Sequence, residues 1–262
     1  MPPINWDYSS FKAAFFKRTG LELERYKDKQ MERRIRQFMQ RKEKPNFRLF
    51  FEYLSSTPSA LEDFMNYLTI NTSEFFRDEK VYDRLQEEIF VELLKREKGM
   101  LRFWSAGCSV GAEPYTIAIA MDLLQSLERT EVVASDLDDK ALEIARQGLY
   151  SRKMLGKTRE DIIKRYFLAK GENYEVIPKI KEVVTFWRHN LLTDPPYRNC
   201  HMIFCRNVFI YFKPETQEFL LERFSSVLKP GGYLVIGSAE YISDPAKLGL
   251  TKRHNSIYQK SA

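Results

Sequence analysis

Apolar positions in the first seventy residues recur at helical spacing, and the pattern predicts helices over Tyr8–Thr19, from near Tyr26, over Asn46–Leu54 and over Pro58–Leu68. In the second helix Met31, Ile35 and Phe38 follow one another at four and three residues and form a single stripe. Lys29, Arg33 and Arg36 fall on a different face, so this helix has a core side and a basic side. Gly20 and Pro45 mark helix ends, with Ser9 and Ser59 as N-caps or first-turn residues. This part is expected to be a small all-helical domain.

From about Met100 the period changes. LRFWSA reads as a strand, GCSVGAEP as a turn and YTIAIAMDLLQSL as a helix; EVVASD then reads as a second strand and DDKALEIARQGL as a second helix. VVTFWRHN and HMIFCRN follow as strands, then a helix from Pro214 to Leu228, a turn through Pro230-Gly231-Gly232, and the strand YLVIGSAE. Strands alternating with helices predict an α/β sheet with parallel strands at its centre. Tyr150–Glu182 breaks the rhythm with a helical piece at Thr158–Phe167, Gly171 and an extended YEVIP, and is expected to be an insertion holding a small antiparallel β-element.

The chain has 262 residues, 44% hydrophobic and 30% charged, enough for a buried core in one or two domains and unlike a disordered chain. It contains no run of 18 apolar residues and no basic-then-apolar leader, so a soluble cytoplasmic protein is expected. Three cysteines without a Cys-x-x-Cys pair and three scattered histidines give no expectation of a metal site. The net charge of +6 is unevenly spread: Lys17–Arg48 holds twelve basic residues against five acidic ones, which leaves the rest of the chain at −1.

Ligands of open α/β sheets sit at the carboxyl ends of strands, so the residues after each strand are the candidates for chemistry. After the first strand, Gly107 and Gly111 allow a tight turn, but their spacing matches neither the dinucleotide fingerprint nor a phosphate loop. A turn without any ligand is the plain alternative. Asp136 ends the second strand, where an acidic residue accepts from ribose hydroxyls, while Asp138 or Asp139 would cap the next helix. Glycine turn and acidic strand end together favour an adenosine-containing ligand, and S-adenosylmethionine fits better than NAD or ATP. Arg206 and Asn207 interrupt an apolar run at a further strand end; Asn207 would hold the ligand and Tyr211 would face the reacting group, the alternative being a structural cap. Phe75, Phe76, Trp104, Phe209 and Phe212 are expected in the core, and Cys108 as a small apolar residue.

Asn71-Thr-Ser-Glu-Phe-Phe-Arg77, Ser105-Ala-Gly-Cys-Ser-Val-Gly-Ala-Glu-Pro-Tyr115, Asp136, His189-Asn-Leu191 and Phe204-Cys-Arg-Asn-Val-Phe-Ile-Tyr-Phe212, in this order, resemble the CheR-type chemotaxis receptor methyltransferases. The resemblance spans Phe11 to Tyr258. It implies a basic helical docking domain over 1–70, a linker and helix over 71–99 contributing to the cofactor site, and a Rossmann-like class I methyltransferase domain over 100–262 with a β-subdomain at about 150–182. It further implies methyl esterification of glutamate side chains on the cytoplasmic helices of methyl-accepting chemotaxis receptors, with S-adenosylmethionine as donor, S-adenosylhomocysteine as product and no metal. The positions carried over for the cofactor are Asn71, Ser73, Arg77, Gly107, Glu113, Asp136, Asn190, Leu191, Asn207 and Val208. Arg77 would orient the carboxylate and Tyr211 shape the site; Arg33, Arg34 and Arg36 would dock the receptor. Ser73 stands where threonine is usual and keeps the hydroxyl, and Ala112 replaces a common glutamate. The subdomain grips a receptor C-terminal peptide in some members; here Gly171 is the only glycine between Lys157 and Glu182, and a short subdomain without that tether is expected. A monomer without nucleic acid or membrane insertion is the expected state.

Two other readings compete. Asp194-Pro195-Pro196-Tyr197 resembles the motif of adenine amino-methyltransferases, but it precedes HMIFC, and the place after that strand is taken by Arg206-Asn207. A non-catalytic sensor of the cofactor is the second alternative, against which Arg77, Asn207 and Tyr211 stand.

Overall fold

The computed structural model describes residues 6–69 and 73–261. The chain divides into two compact units, one of residues 1–70 with 210–218 and one of residues 71–209 with 219–262.

The first unit contains helices α1 (Tyr8–Thr19), α2 (Asp28–Arg41), α3 (Phe47–Ser56) and α4 (Pro58–Leu68). Its core is aromatic: Phe11, Phe15, Phe50 and Phe64 are fully buried, with the Phe50 and Phe64 rings edge to face at 4.9 Å. Side-chain caps come from Asp7, which accepts from the Ser10 N–H, and from Asn46, which accepts from the Leu49 N–H. Ser9 and Ser59 are first-turn residues, and α4 starts on Pro58, whose fixed φ suits that position. Met31, Ile35, Phe38 and Met39 are the buried side of α2. Residues 210–218 join this unit through the backbone bonds Lys27 N–H to Tyr211 O (2.9 Å) and Lys213 N–H to Arg25 O (3.0 Å). The Lys213 ammonium adds an ion pair with Asp28 at 2.8 Å, and Lys12 meets the same carboxylate at 2.9 Å.

In the second unit a helical stretch comes first: α5 (Glu79–Arg84), a π-turn at Leu85–Ile89 and α6 (Phe90–Arg96). β1 (Leu101–Ala106), α7 (Ala112–Leu123), β2 (Thr130–Asp136) and α8 (Asp139–Gln147) then alternate. The inserted piece holds β3 (Leu149–Ser151), α9 (Glu160–Tyr166), β4 (Phe167–Lys170), β5 (Asn173–Val176) and α10 (Pro178–Lys181). The main fold resumes with β6 (Val184–Arg188) and β7 (Cys200–Cys205); α11 (Pro214–Val227) begins in the stretch counted with the first unit and ends in the second, and β8 (Leu228–Ile236), β9 (Leu250–His254) and β10 (Ile257–Lys260) follow. The main sheet has the order β6-β2-β1-β7-β8-β10-β9; β3-β5-β4 form a separate antiparallel sheet. β6, β2, β1, β7 and β8 run parallel, and β10 is antiparallel to both neighbours. The expected architecture is therefore met: a helical domain, an α/β sheet with parallel strands at its centre and a small antiparallel insertion.

Three local expectations change. α7 starts at Ala112, so Glu113 and Pro114 lie in its first turn, where a missing N–H costs nothing. Lys229–Gly232 belongs to β8 and is not a turn: positive φ at Gly231 and an irregular register beside Cys200 and Met202 let the strand continue through the Pro-Gly-Gly run. The sequence gives no expectation of the antiparallel pair β9 and β10, because its residues are short in apolar runs and its exposed positions, Thr251 and Lys252, are polar.

Candidate functional site

Strand order reverses between β1 and β7: the chain moves from β1 to β2 and β6 on one side, then to β7 and β8 on the other. Such a switch point opens a crevice at the carboxyl ends of the strands. The turn after β1 and the segment after β7 meet there. A Cβ on Gly107 would lie 2.8 Å from Val208 Cγ2, so only glycine allows this approach. The Gly107 and Cys108 N–H groups donate to Ser135 O at 2.8 and 2.9 Å, which ties the turn to the end of β2.

Asp136 lies at that end. Its Oδ2 accepts the Ser109 N–H at 2.7 Å and its Oδ1 the Asp138 N–H at 3.0 Å. Burial holds its carboxyl above the usual range despite these two donors. Asp138 is the residue that caps α8, through Ala141 N–H at 3.1 Å. On the next strand, the His189 N–H donates to Asp136 O at 2.8 Å, which places Asn190 and Leu191 in the loop beside it. Asn190 is fixed by its own N–H, which donates to Asp194 Oδ2 (2.9 Å), and by its Oδ1, which accepts the Leu192 N–H (3.0 Å). Asp194 of the D-P-P-Y run is thus a loop-closing residue.

Glu113 accepts from Ser105 Oγ at 2.7 Å and meets Arg206 Nη1 at 3.4 Å. Burial pushes its carboxyl up, while Arg206 and Arg77 favour the ionised form. Arg206, with 8% of its surface exposed, is a residue the sequence singled out without giving it a place in the site. Its Nη2 donates to Arg77 O at 2.7 Å and to Asp78 Oδ2 at 2.8 Å, and its guanidinium lies 5.4 Å from the Tyr82 ring centroid. Phe76 and Asp78, on either side of Arg77, both have positive φ (51° and 61°). Non-glycine residues rarely take this conformation, and it persists where surrounding contacts over-determine the chain. Those contacts are the Arg206 fork, Phe75 N–H to Met154 O at 3.1 Å and Phe76 N–H to Thr116 Oγ1 at 3.2 Å.

Asn207 also has positive φ (61°), and its N–H donates to Glu240 Oε2 at 3.0 Å. Glu240 was missed from sequence; an acidic residue four positions past a strand end carries no spacing signal. Ser73 is half-buried at the start of the described segment, and Asn71 lies outside the described residues. Phe75, Trp104, Phe209, Phe212 and Cys108 are buried, as expected for core residues, and Phe76 is partly so. Burial pushes the thiols of Cys108, Cys205 and Cys200 up, the last to about 12, so none is a thiolate at neutral pH.

Tyr211 belongs to the helical unit, as do Arg33, Arg34 and Arg36. Arg33 and Arg36 are exposed and line a groove of about 410 Å³ with Lys29, Glu32, Gln37 and Gln40. Arg34 turns away from that role: it is half-buried, its Nε donates to Tyr67 O at 2.9 Å, and it lies 4.5 Å from the Tyr67 ring centroid. Among the described residues no His, Cys, Asp and Glu cluster could hold a metal ion, and no helix is long and apolar enough to cross a membrane.

Comparison with known proteins bears on both units. Residues 6–69 match the all-alpha domain of the CheR methyltransferases and residues 71–256 match their S-adenosylmethionine-binding domain. The chain is 36% identical over 261 residues to chemotaxis protein methyltransferases of Listeria innocua and Listeria monocytogenes, covering 100% of each partner and of itself. It is 31% identical over 257 residues to chemotaxis protein methyltransferase 2 of Vibrio cholerae, covering 94% of this chain and 89% of that one. The chain belongs to the CheR methyltransferase family and is an S-adenosylmethionine-dependent methyltransferase.

Proposed function

We propose that the chain esterifies glutamate side chains on the cytoplasmic helices of methyl-accepting chemotaxis receptors, giving methyl esters and S-adenosylhomocysteine, as a monomer in the cytoplasm. One observation carries this reading: the Arg206 fork holds the Arg77 carbonyl and Asp78 while its other amino group meets Glu113, so the segment bearing Arg77 and the first turn of α7 form one charge cluster. In this reading residues 1–70 dock the receptor, 71–99 complete the cofactor site and 100–262 hold the transferase sheet.

The residues present fit the cofactor. No Lys or Arg lies in the Gly107–Gly111 turn to receive phosphates, and Asp136 ends β2, where a carboxylate accepts from ribose hydroxyls. Asn71, Ser73, Arg77, Gly107, Glu113, Asp136, Asn190, Leu191, Asn207 and Val208 would hold it. When bound, S-adenosylmethionine supplies a methyl group on a positively charged sulfonium. The accepting glutamate, with an ordinary pKa of about 4.3, is already ionised at neutral pH, so no general base is required. What remains for the protein is orientation and exclusion of water. Arg77 orients the carboxylate. Tyr211 shapes the acceptor side.

Incubation with methyl-labelled cofactor and receptor-bearing membranes tests the reading. Alkali-labile label released as methanol is expected; alkali-stable label on nucleic acid would refute it, and absence of turnover would favour a sensor. Arg77→Ala is expected to lower the rate about 100-fold or more, the size found when a positioned electrostatic group is removed. Near-normal turnover would remove Arg77 from the mechanism.

A further inference from the structure

We propose that Glu240 is a positioning residue for the cofactor: its carboxylate clamps the segments after β7 and β8 together and sets the backbone of Asn207 and Val208. The inference rests on the reading that Asn207 and Val208 hold S-adenosylmethionine.

β7 and β8 are parallel neighbours with Cys205 opposite Ile236, so Asn207 and Gly237 leave the sheet side by side. Glu240 is 7% exposed, and its Oε2 accepts two N–H groups, one from each segment: Asn207 at 3.0 Å and Gly237 at 2.7 Å. Its own N–H returns to Gly237 O at 2.9 Å, closing a tight turn that aims the side chain at β7. The approach leaves no room for a side chain at residue 237. A Cβ there would lie 2.8 Å from Asn207 N, 2.8 Å from Glu240 Oε2 and 2.9 Å from Asn207 Nδ2.

The clamp has a local task. Asn207 sits at φ 61°, a conformation an L-residue leaves when nothing holds it, although asparagine tolerates it better than most. A bond from its N–H to a carboxylate oxygen, stronger than one to a neutral acceptor, holds it there. Val208 follows directly and fills the space against Gly107. A shift of Asn207 is therefore passed to the turn after β1. Glu240 touches neither transferred methyl nor acceptor in this scheme; it acts through Asn207.

The test is calorimetric binding of S-adenosylhomocysteine to the purified full chain, with steady-state kinetics beside it. Asn207→Ala, Glu240→Ala, Glu240→Gln and Gly237→Ala are compared with the wild type. Glu240→Ala is expected to weaken binding about 30-fold and to raise the KM for S-adenosylmethionine in step, with kcat changed less than about threefold, the signature of lost ground-state binding. Glu240→Gln keeps a carbonyl acceptor and is expected to recover most of the loss. Gly237→Ala keeps the carboxylate, removes the fit and is expected to weaken binding about tenfold even if Glu240→Ala fails to fold. Wild-type affinity in folded Glu240→Ala or in Gly237→Ala overturns the proposal. If Asn207→Ala binds like the wild type, the underlying site assignment falls with it; if Asn207→Ala weakens binding and Glu240→Ala does not, only the clamp falls. Binding needs no receptor, so failure of receptor methylation leaves this test intact.

Discussion

Arg206 is a buried cation whose desolvation, several kcal/mol for an ion in a protein interior, has to be offset by what its guanidinium touches. Asp78, Glu113 and the Arg77 carbonyl do so together. Lysine would keep the charge and lose the planar fork that reaches all three. Arg206→Lys is therefore expected to cost about 1–3 kcal/mol in urea unfolding, for the buried partners left unsatisfied, and to lower kcat about tenfold or more, because Arg77 is no longer held from its carbonyl. Arg206→Met should be destabilised by about 3 kcal/mol, as when a buried ion pair loses one partner, with Glu113 the group left stranded. A lysine variant with full activity would show that the fork does not position Arg77.

At the scale of elements, one of the ties between the small β-subdomain and the main fold is a carboxylate on α7. Asp122 accepts from Tyr166 at the end of α9 (2.9 Å) and from Lys179 on α10, and Arg165 lies 3.4 Å away. Burial raises its pKa, but Lys179 and Tyr166 outweigh that and hold the carboxyl below its ordinary value. Its folded value being lower than its unfolded one, its contribution is full above about pH 4 and is lost as the pH falls further. Lys179 is largely exposed, so the pair is screened, and Asp122→Asn is expected to cost only about 1 kcal/mol. The change should show as faster amide exchange across residues 149–181 while S-adenosylhomocysteine affinity holds. Unchanged exchange there would mean that packing of Ile162, Ile163 and Ile180 suffices.

Elements were legible where a period and a breaker coincided. The alternation from Met100 onward and the turn at Gly107–Gly111 placed the switch-point side of the sheet, because buried parallel strands read as apolar runs bounded by turn residues. β9 and β10 were not legible: exposed Thr251 and Lys252 with half-buried Arg253 and His254 read as polar loop, and pairing of β10 with β8 and of β9 with β10 is what makes them strands. Of the site, Glu113 and Asp136 followed from motif position. Arg206 stood out as a charge in an apolar run, yet its three partners come from Arg77, Asp78 and Glu113, separations no local pattern encodes. Glu240 acts on backbone N–H groups, which leave no trace in side-chain identity.

For the molecule as a whole, the net charge of +6 is shared between the two units, the basic residues of the helical unit being concentrated in Lys17–Arg48, and the structure sharpens which of these can present charge. Arg33 and Arg36 line the groove on α2, though Arg36 also meets Glu32 at 2.8 Å, while Arg34 is engaged with Tyr67. Acidic receptor helices would be drawn to this face over a screening length of about 8 Å at physiological salt. Arg33→Glu with Arg36→Glu is expected to raise the receptor KM about tenfold and flatten its salt dependence, with S-adenosylhomocysteine affinity within about twofold of wild type. Equal loss of both in labelling and calorimetry would show that the substitutions damage the fold and do not report docking.

The helical unit is assembled from two distant stretches of chain, its second piece lying at residues 210–218. On the ribosome its first piece emerges well before Lys213, which completes the ion pair with Asp28. At about 5–20 residues per second, the delay is on the order of ten seconds, during which Lys12 alone serves Asp28. The N-terminal helices are first to be made, yet their unit is closed only after most of the transferase sheet has been synthesised.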